Sequence, residues 1–431
     1  MARIAVIGQD GRTSAVTALF SRSSQLEGPV RCLSSWKDRP REELRRDVMR
    51  EARAFRPDLV FVGPEDPLAA GIVDELQKEG IACIGPTRSL AKLEASKAFT
   101  RELISRHGIP GSPEYRIFRT LEGFDDYLRN LDGFVVKPDG LTGGKGVRVS
   151  GTHLTSIRDA HQYAEALLRS THAAVVVEEK LDGEEFSLQS FCDGRHVHDM
   201  PAVQDHKRAF EGDSGPNTGG MGSYSCEDHR LPFLSEAALR AASAINAAVA
   251  HALFQETGER YRGILYGGFM LTRHGVRLLE YNARFGDPEA LNVLSLLETD
   301  FVEICDAIVR GTLNDTHVEF RRQATVCKYV VPEGYPDHPV KGQRIELDRV
   351  PEESPRLRWY LAAVDRRPDG LFLTGSRAVA FVGIGGSLDE AETIAEEAAN
   401  AVEGPVYHRR DIGTRKLVNL RCEHVRTFTL R

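Results

Sequence analysis

The stretch RLLEYNARFGDPEA, Arg277 to Ala290, begins in an alternating run and ends in glycine and proline. Taken with Val276, VRLLEYNA predicts a strand that sets Glu280, Asn282 and Arg284 on one face and Leu279, Tyr281 and Ala283 on the other. One face then carries a carboxylate, an amide oxygen and a guanidinium. Asparagine is depleted in strands and a buried polar row needs partners, so a purely structural role has three residues to explain at once. A solvated strand face is the plain alternative. Oxygen ligands beside an arginine suit Mg²⁺ bound to substrate phosphates, because that ion keeps only one or two protein carboxylates.

Upstream, GFVVKPDGLTGGKGVRVSG (Gly133 to Gly151) places Lys137 at a strand end, then a turn with Gly143, Gly144 and Lys145, then a second strand. Such a turn brings backbone N–H groups and an ammonium close to phosphate oxygens. It is not a Walker A loop, since Gly146 follows Lys145 and VRVS reads as strand where a P-loop needs a helix. A glycine-rich hairpin is the alternative. Further on, DSGPNTGGMGSYS (Asp213 to Ser225) has four glycines and no apolar run, which predicts a tight loop with exposed backbone.

The first hundred residues predict a doubly wound parallel sheet from the apolar runs RIAVIG, DLVFVG and IACIG, each closed by glycine, with PLAAGIVDELQKEG a helix between the last two. Ligands on such sheets sit beyond the strand carboxyl ends, here GQDGRTSA and GPEDPLAAG. Neither is a GxGxxG fingerprint. LEASKAFTRELISRHGIP predicts one helix closed by Gly108 and Pro110. The last hundred residues predict an α+β unit: strands in QATVCKYVVP, LFLTG and AVAFVGIG, then a helix opened by a Ser387–Glu390 capping box, with no catalytic constellation.

At 431 residues and 41% apolar content the chain suits roughly three domains. A net charge of −7 is the wrong sign for a nucleic-acid partner. No run of eighteen apolar residues and no signal-like start point to a membrane, so a cytoplasmic setting is expected. Seven scattered cysteines, never CxxC, predict neither a disulfide framework nor a cysteine zinc site. His196 and His198 share a strand face but lack a third ligand, which leaves them as solvated residues.

SKAF, KPDGLTGGKGV, EEKLDGEE, QDHKR, GPNTGGMGSYS and EYNARFGDPE, in this order, closely resemble the phosphoribosylamine–glycine ligases (glycinamide ribonucleotide synthetases), which are ATP-grasp enzymes. VGPEDPLAAG, IGPTRSLAKLEASKAF and RRDIG extend the resemblance over essentially the whole chain. It implies a multidomain α/β and α+β protein of ATP-grasp fold. Residues 1–103 would form the doubly wound domain, 104–325 the ATP-grasp domain with a mobile lid over about 121–190, and 326–431 a C-terminal α+β domain. It also implies ligation of glycine to 5-phosphoribosylamine through a glycyl phosphate, with ATP and Mg²⁺ or Mn²⁺, as a monomer or weak homo-oligomer.

By the same resemblance, Lys97, Lys137 and Lys145, with Gly143 and Gly144, would meet ATP phosphates. Glu178, Glu179 and Leu181 would form the hinge along the adenine, Glu185 would accept from the ribose, and Glu280 and Asn282 would hold the metal. Arg284, Lys145 and Asp287 would act in catalysis. Gly11, Arg12 and Glu65 would face the ribosylamine, and Asn217, Thr218, Gly219 and Gly220 the small acyl intermediate. Asp205, Asp213 and Asp287 compete to hold the amino group of glycine. Arg409, Arg410 and Lys416 would suit a 5-phosphate, or form an exposed basic segment. The family's GGREHA stands here as DGRTSA, with Thr13 and Ser14 in place of a glutamate and a histidine. That change keeps open a related ligase with another amine or small amino acid. A nucleotide-binding regulator without turnover is the other reading.

Overall fold

The computed structural model describes residues 1–33, 41–143, 146–170 and 173–429. Gly144 and Lys145, both expected on the phosphate-binding turn, lie outside the described residues. The first sheet is parallel, in spatial order Arg31–Leu33, Ile4–Ile7, Leu59–Val62, Ala82–Ile84. Its two faces divide by strand periodicity. Ala5, Ile7, Val60 and Val62 pack on helices Arg41–Phe55 and Ile72–Lys78, whereas Ile4, Val6, Leu59 and Phe61 join the main core. The helix expected between the last two strands is two helices, Glu65–Ala70 and Ile72–Lys78, divided at Gly71, whose φ of 85° no helix interior allows.

The segment expected as one helix from Leu93 onward is also divided. Ser96 leaves the helical conformation and caps Lys97–Arg106 by accepting from Phe99 N at 3.0 Å. A four-stranded antiparallel sheet follows, in order Tyr115–Phe118, Val175–Glu179, Phe134–Pro138, Arg148–Val149. With helices Phe124–Arg129 and Ile157–Arg169 it encloses a separate small core around Phe118, Phe124, Val136 and Val177. This subdomain covers 115–179, rather than the 121–190 expected of the lid.

A second antiparallel sheet runs Val197–Asp199, Gly183–Cys192, Gly263–Thr272, Gly275–Asn282. The helix Glu236–Thr257 is long and apolar enough to cross a membrane by length and composition, yet Ala242, Ile245, Val249 and Leu253 lie buried in the main core. The next sheet ignores sequence neighbourhood. Gln204–Asp205 pairs with Gly222–Ser225, which in turn pairs with Ala324–Pro332, followed by Val379–Gly385 and Leu357–Leu361. The boundaries expected at 103/104 and 325/326 therefore fall inside a helix and inside a strand. One hydrophobic core runs from Ile4 to Val425.

The capping box of Leu388–Asn400 is half formed. Ser387 accepts from Glu390 N, but the Glu390 carboxylate accepts from Gly386 N at 2.7 Å instead of from the cap residue.

Candidate active site

The strand Gly275–Asn282 carries a bulge. Its partner strand pairs Phe269 with Leu278 and Gly268 with Glu280, leaving Leu279 unpaired. The strict alternation expected from sequence thus fails at one residue. Leu279 lines the cleft beside Glu280 instead of joining Tyr281 and Ala283, which are buried in the core. Its carbonyl accepts from Arg101 Nη2 at 2.9 Å and Lys137 Nζ at 3.1 Å.

On one side of this strand end lie the cationic groups expected at a nucleotide. Lys137 pairs with Glu178 at 2.7 Å, and Glu178 takes Arg101 Nε on its other oxygen, also at 2.7 Å. Burial raises the Glu178 carboxyl, but the two cations outweigh it and hold it at about 2. Both oxygens of Glu178 are thus occupied within the protein. Lys97 Nζ donates to Gly140 O at 2.9 Å, and burial lowers its pKa. Lys207 lies 3.2 Å from Glu185 and 3.9 Å from Glu280. Enclosure in the cleft raises Glu280, yet Lys207, Lys137 and Lys97 together hold it below the ordinary carboxylate range. Glu179 accepts from Glu114 N, and Leu181 sits in the short link between the 115–179 subdomain and the second sheet. Gly143 is exposed at a φ of 56° with open space where a Cβ would stand.

A metal can be tested against these donors. Among the described residues no group of three or more His, Cys, Asp or Glu side chains could hold one, and His196 and His198 are not gathered into such a group. His196 pairs with Asp193 at 3.0 Å. Glu280 and Asn282 offer one carboxylate and one amide oxygen at the strand end, hard donors that fit a hydrated Mg²⁺ or Mn²⁺ sharing phosphate oxygens.

The other side of the strand end is a network of five ionisable side chains. Arg284 pairs with Glu94 at 2.8 Å and Glu65 at 3.1 Å, and Arg12 reaches Glu65 at 3.5 Å and Asp10 at 2.7 Å. Burial raises Glu65, but Arg284 and Arg12 hold it at about 2. Burial pushes Glu94 up to about 7 despite Arg284. Asp10 caps the helix Gly11–Phe20, so DGRTSA forms a helix start with Gly11 and Arg12 in its first turn. Gly11 has no room for a Cβ, which would meet the Tyr329 hydroxyl.

The glycine-rich stretch is not one tight loop. Ser214–Asn217 pairs with Arg208–Phe210 as a hairpin, and Gly222–Ser225 enters the C-terminal sheet. Thr218 Oγ donates to Lys207 O at 2.9 Å and accepts from Gly220 N at 3.0 Å, so its side chain is spent on the turn. Asn217 lies half-buried in the hairpin. At Gly220 the φ is 105°, and a Cβ would stand 2.5 Å from Pro288 Cδ and 2.7 Å from Asp205 Oδ1. Packing against protein alone already requires glycine there.

The three candidate aspartates separate. Asp213 is held by Arg409 at 2.8 Å and by Arg421, away from the cleft lining. Asp287 is buried and receives Tyr329 Oη at 2.7 Å and Arg377 Nη2 at 3.0 Å, so both oxygens are occupied. Asp205 lines the cleft with Lys207, Tyr266, Gly268 and Glu280, and among the described residues its carboxylate accepts only from His206 N, at 2.7 Å. Burial and the nearby Glu289 push its pKa well up.

Arg409, Arg410 and Lys416 do not converge. Arg409 is 1% exposed and bonded to Asp411 and Asp213. Arg410 is exposed near Glu396 and Asn400, and Lys416 is exposed in the first turn of the C-terminal helix. The structure adds Arg101, Glu94, Lys207 and Arg377 to the site. Glu94 and Lys207 stand inside the motifs LEASKAF and QDHKR, which were the signal for them. Arg377, in LTGSRAV, carried none.

Three family models match in order along the chain: the N domain of phosphoribosylglycinamide synthetase over 2–94, its ATP-grasp (A) domain over 95–290 and its C domain over 325–415. A phosphoribosylamine–glycine ligase of Methanocaldococcus jannaschii is 44% identical over 98% of this chain and 98% of its own. That of Methanoregula boonei is 45% identical over 98% and 99%. The crystal structure of the ligase of that name from Thermotoga maritima superposes with a TM-score of 0.78 at 27% identity, covering 95% of this chain and 99% of that one. A biotin carboxylase from Campylobacter jejuni, 13% identical, shares the fold with a TM-score of 0.74 over 99% of each chain. Domain models in the same order and full-length likeness to archaeal relatives lead to one conclusion: the chain belongs to the phosphoribosylglycinamide synthetase family of ATP-grasp ligases.

Proposed function

We propose that the protein joins glycine to 5-phosphoribosylamine at the expense of ATP, giving glycinamide ribonucleotide, ADP and phosphate in purine synthesis. The observation that carries this is the placement of Glu280 and Arg284 about one strand end. Glu280 faces Lys97, Lys137 and Lys207, while Arg284, four residues on, is fixed by Glu65 and Glu94.

The residue roles follow from that division. Lys97 and Lys137 neutralise the phosphates of ATP, and Glu280 and Asn282 hold the Mg²⁺ or Mn²⁺ that accompanies them. When bound, that ion would supply Lewis-acid neutralisation of phosphate charge. A carboxylate oxygen is a poor leaving group, so the phosphoryl passes first to the carboxylate of glycine, and the neutral amine of phosphoribosylamine then attacks the acyl phosphate. Arg284 steadies charge on the transferring group, and catalysis is mainly positioning and neutralisation. Asp205 takes the ammonium of glycine, because Asp213 and Asp287 are committed elsewhere and a cation restores the charged form that burial disfavours. The 115–179 subdomain, hinged at Glu179–Leu181, covers the acyl phosphate and keeps water from it. Arg12 and Glu65 face the ribosylamine, and a cytoplasmic monomer or weak homo-oligomer completes the reading.

The test is ADP release with each reactant omitted in turn. Release should require both glycine and freshly made phosphoribosylamine. Full release with another amine in place of phosphoribosylamine would favour the related-ligase reading that the DGRTSA departure keeps open.

A further inference from the structure

Arg377 comes from the C-terminal region, in the turn between strands Gly370–Leu373 and Val379–Gly385, where the sequence shows no chemistry. Its guanidinium is nonetheless built into the site. Nη1 donates to Gly219 O at 2.6 Å, Gly220 O at 2.9 Å and Asp287 O at 2.7 Å, and Nη2 donates to Asp287 Oδ2 at 3.0 Å. Its Cζ lies 4.5 Å over the Tyr329 ring, whose hydroxyl holds the other oxygen of Asp287. A single cation therefore ties the glycine-rich turn to the RFGDPE turn. The Gly220 backbone so fixed stands against Asp205.

We propose that Arg377 is a positioning residue for the glycine subsite, holding the Gly219–Gly220 carbonyls and the Asp287–Pro288 turn against Asp205. The inference rests on the reading of Asp205 given above. A planar fork with several donors can hold three carbonyls and a carboxylate at once, whereas a lysine ammonium is a point charge with three donors and cannot reproduce that geometry. Lysine at this position should keep the charge that screens Asp287 while letting the turn shift. Among the described residues no hydrogen bond or ion pair joins Arg377 to Lys97, Lys137 or Glu178, so the nucleotide side should be spared.

The experiment is steady-state kinetics of Arg377→Lys beside a melting curve. The apparent KM for glycine should rise at least about tenfold while that for ATP stays within about twofold. ADP should raise the melting temperature of parent and variant alike. Gly219→Ala is the second variant: its φ is unstrained, and the nearest atoms its methyl would meet belong to Arg377, at 3.2 Å from Cζ. It should reproduce the glycine effect in weaker form, and it carries the test if Arg377→Lys does not fold. A glycine KM within about twofold of the parent in the folded variant, or equal rises for glycine and ATP, would overturn the proposal. The parent's own dependence on glycine is measured first. Its absence would sink the reading of the substrate, whereas an unchanged variant-to-parent ratio would sink only the role of Arg377.

Discussion

Glu280 has the cations of the nucleotide side as neighbours and half-exposed surroundings, so its carboxylate is not needed to hold the fold. Glu280→Gln keeps the shape and removes the charge. Its melting temperature should stay near that of the parent while turnover falls at least about a hundredfold, because neutralisation at the strand end is lost. Parallel thermal unfolding and ADP-release assays check this, and turnover unaffected at low Mg²⁺ would remove Glu280 from the metal site. Glu178 differs because it is buried between Arg101 and Lys137. Its carboxyl stands at about 2 in the folded chain against 4.5 ordinarily. A lowered carboxyl contributes stability that is full above the ordinary value and is lost as pH falls through the folded one. That contribution is on the order of 3 kcal/mol at neutral pH. Glu178→Gln should therefore lower the melting temperature at pH 7 and flatten its decline from about pH 5 to pH 2. A variant whose decline matches the parent's would show that Glu178 is not the titrating group.

Among the elements, the glycine-rich segment departs most from its sequence reading. Four glycines and no apolar run were legible as unusual backbone, but not as a hairpin, a turn and a sheet strand in succession. What the sequence could not show is that the third of those pieces pairs with residues a hundred positions away, on Ala324–Pro332. The cost of a side chain at Gly220 follows. Gly220→Ala combines a φ of 105° with overlap onto Pro288 and Asp205, so it should lose roughly 2–4 kcal/mol of stability. A melting curve unchanged from the parent would contradict this packing. The strand Gly275–Asn282 was legible in type and in its polar residues, and the bulge at Leu279 was not. Period-two reasoning assumes an unbroken ladder, and nothing in LLEYN marks the extra residue. Gly71 and Ser96 each divide a segment that reads as continuous helix, because a left-handed glycine and a capping serine are also tolerated within helical patterns.

On the scale of the whole molecule, three domain families lie in order along the chain, yet one core and one shared sheet bind them together. That is why site residues come from distant positions. Arg12 and Glu65 arrive from helices that follow strands of the parallel sheet, Lys137 and Glu178 from the 115–179 subdomain, Glu280 from the second sheet, Arg284 from the turn after it, and Arg377 from the C-terminal region. Motif residues at the strand ends were legible because their chemistry is concentrated in short runs. Arg377 was not, because its partners are backbone carbonyls, which leave no pattern in sequence. Arg409 and Asp213 were legible only as charges, for a related reason. A basic or acidic residue in a motif reads as a ligand group, and only the fold shows that each is the other's partner.

On the proposed function, one site activates the carboxylate of glycine with ATP and passes the acyl group to phosphoribosylamine. Glycine labelled with ¹⁸O in its carboxylate tests it most directly, with mass spectrometry of the released phosphate and of the ribonucleotide product. Transfer of one labelled oxygen to each phosphate, together with product carrying the remaining label, is the predicted result. Unlabelled phosphate accompanying full product formation would contradict an acyl phosphate, and ADP release independent of glycine would contradict the function itself.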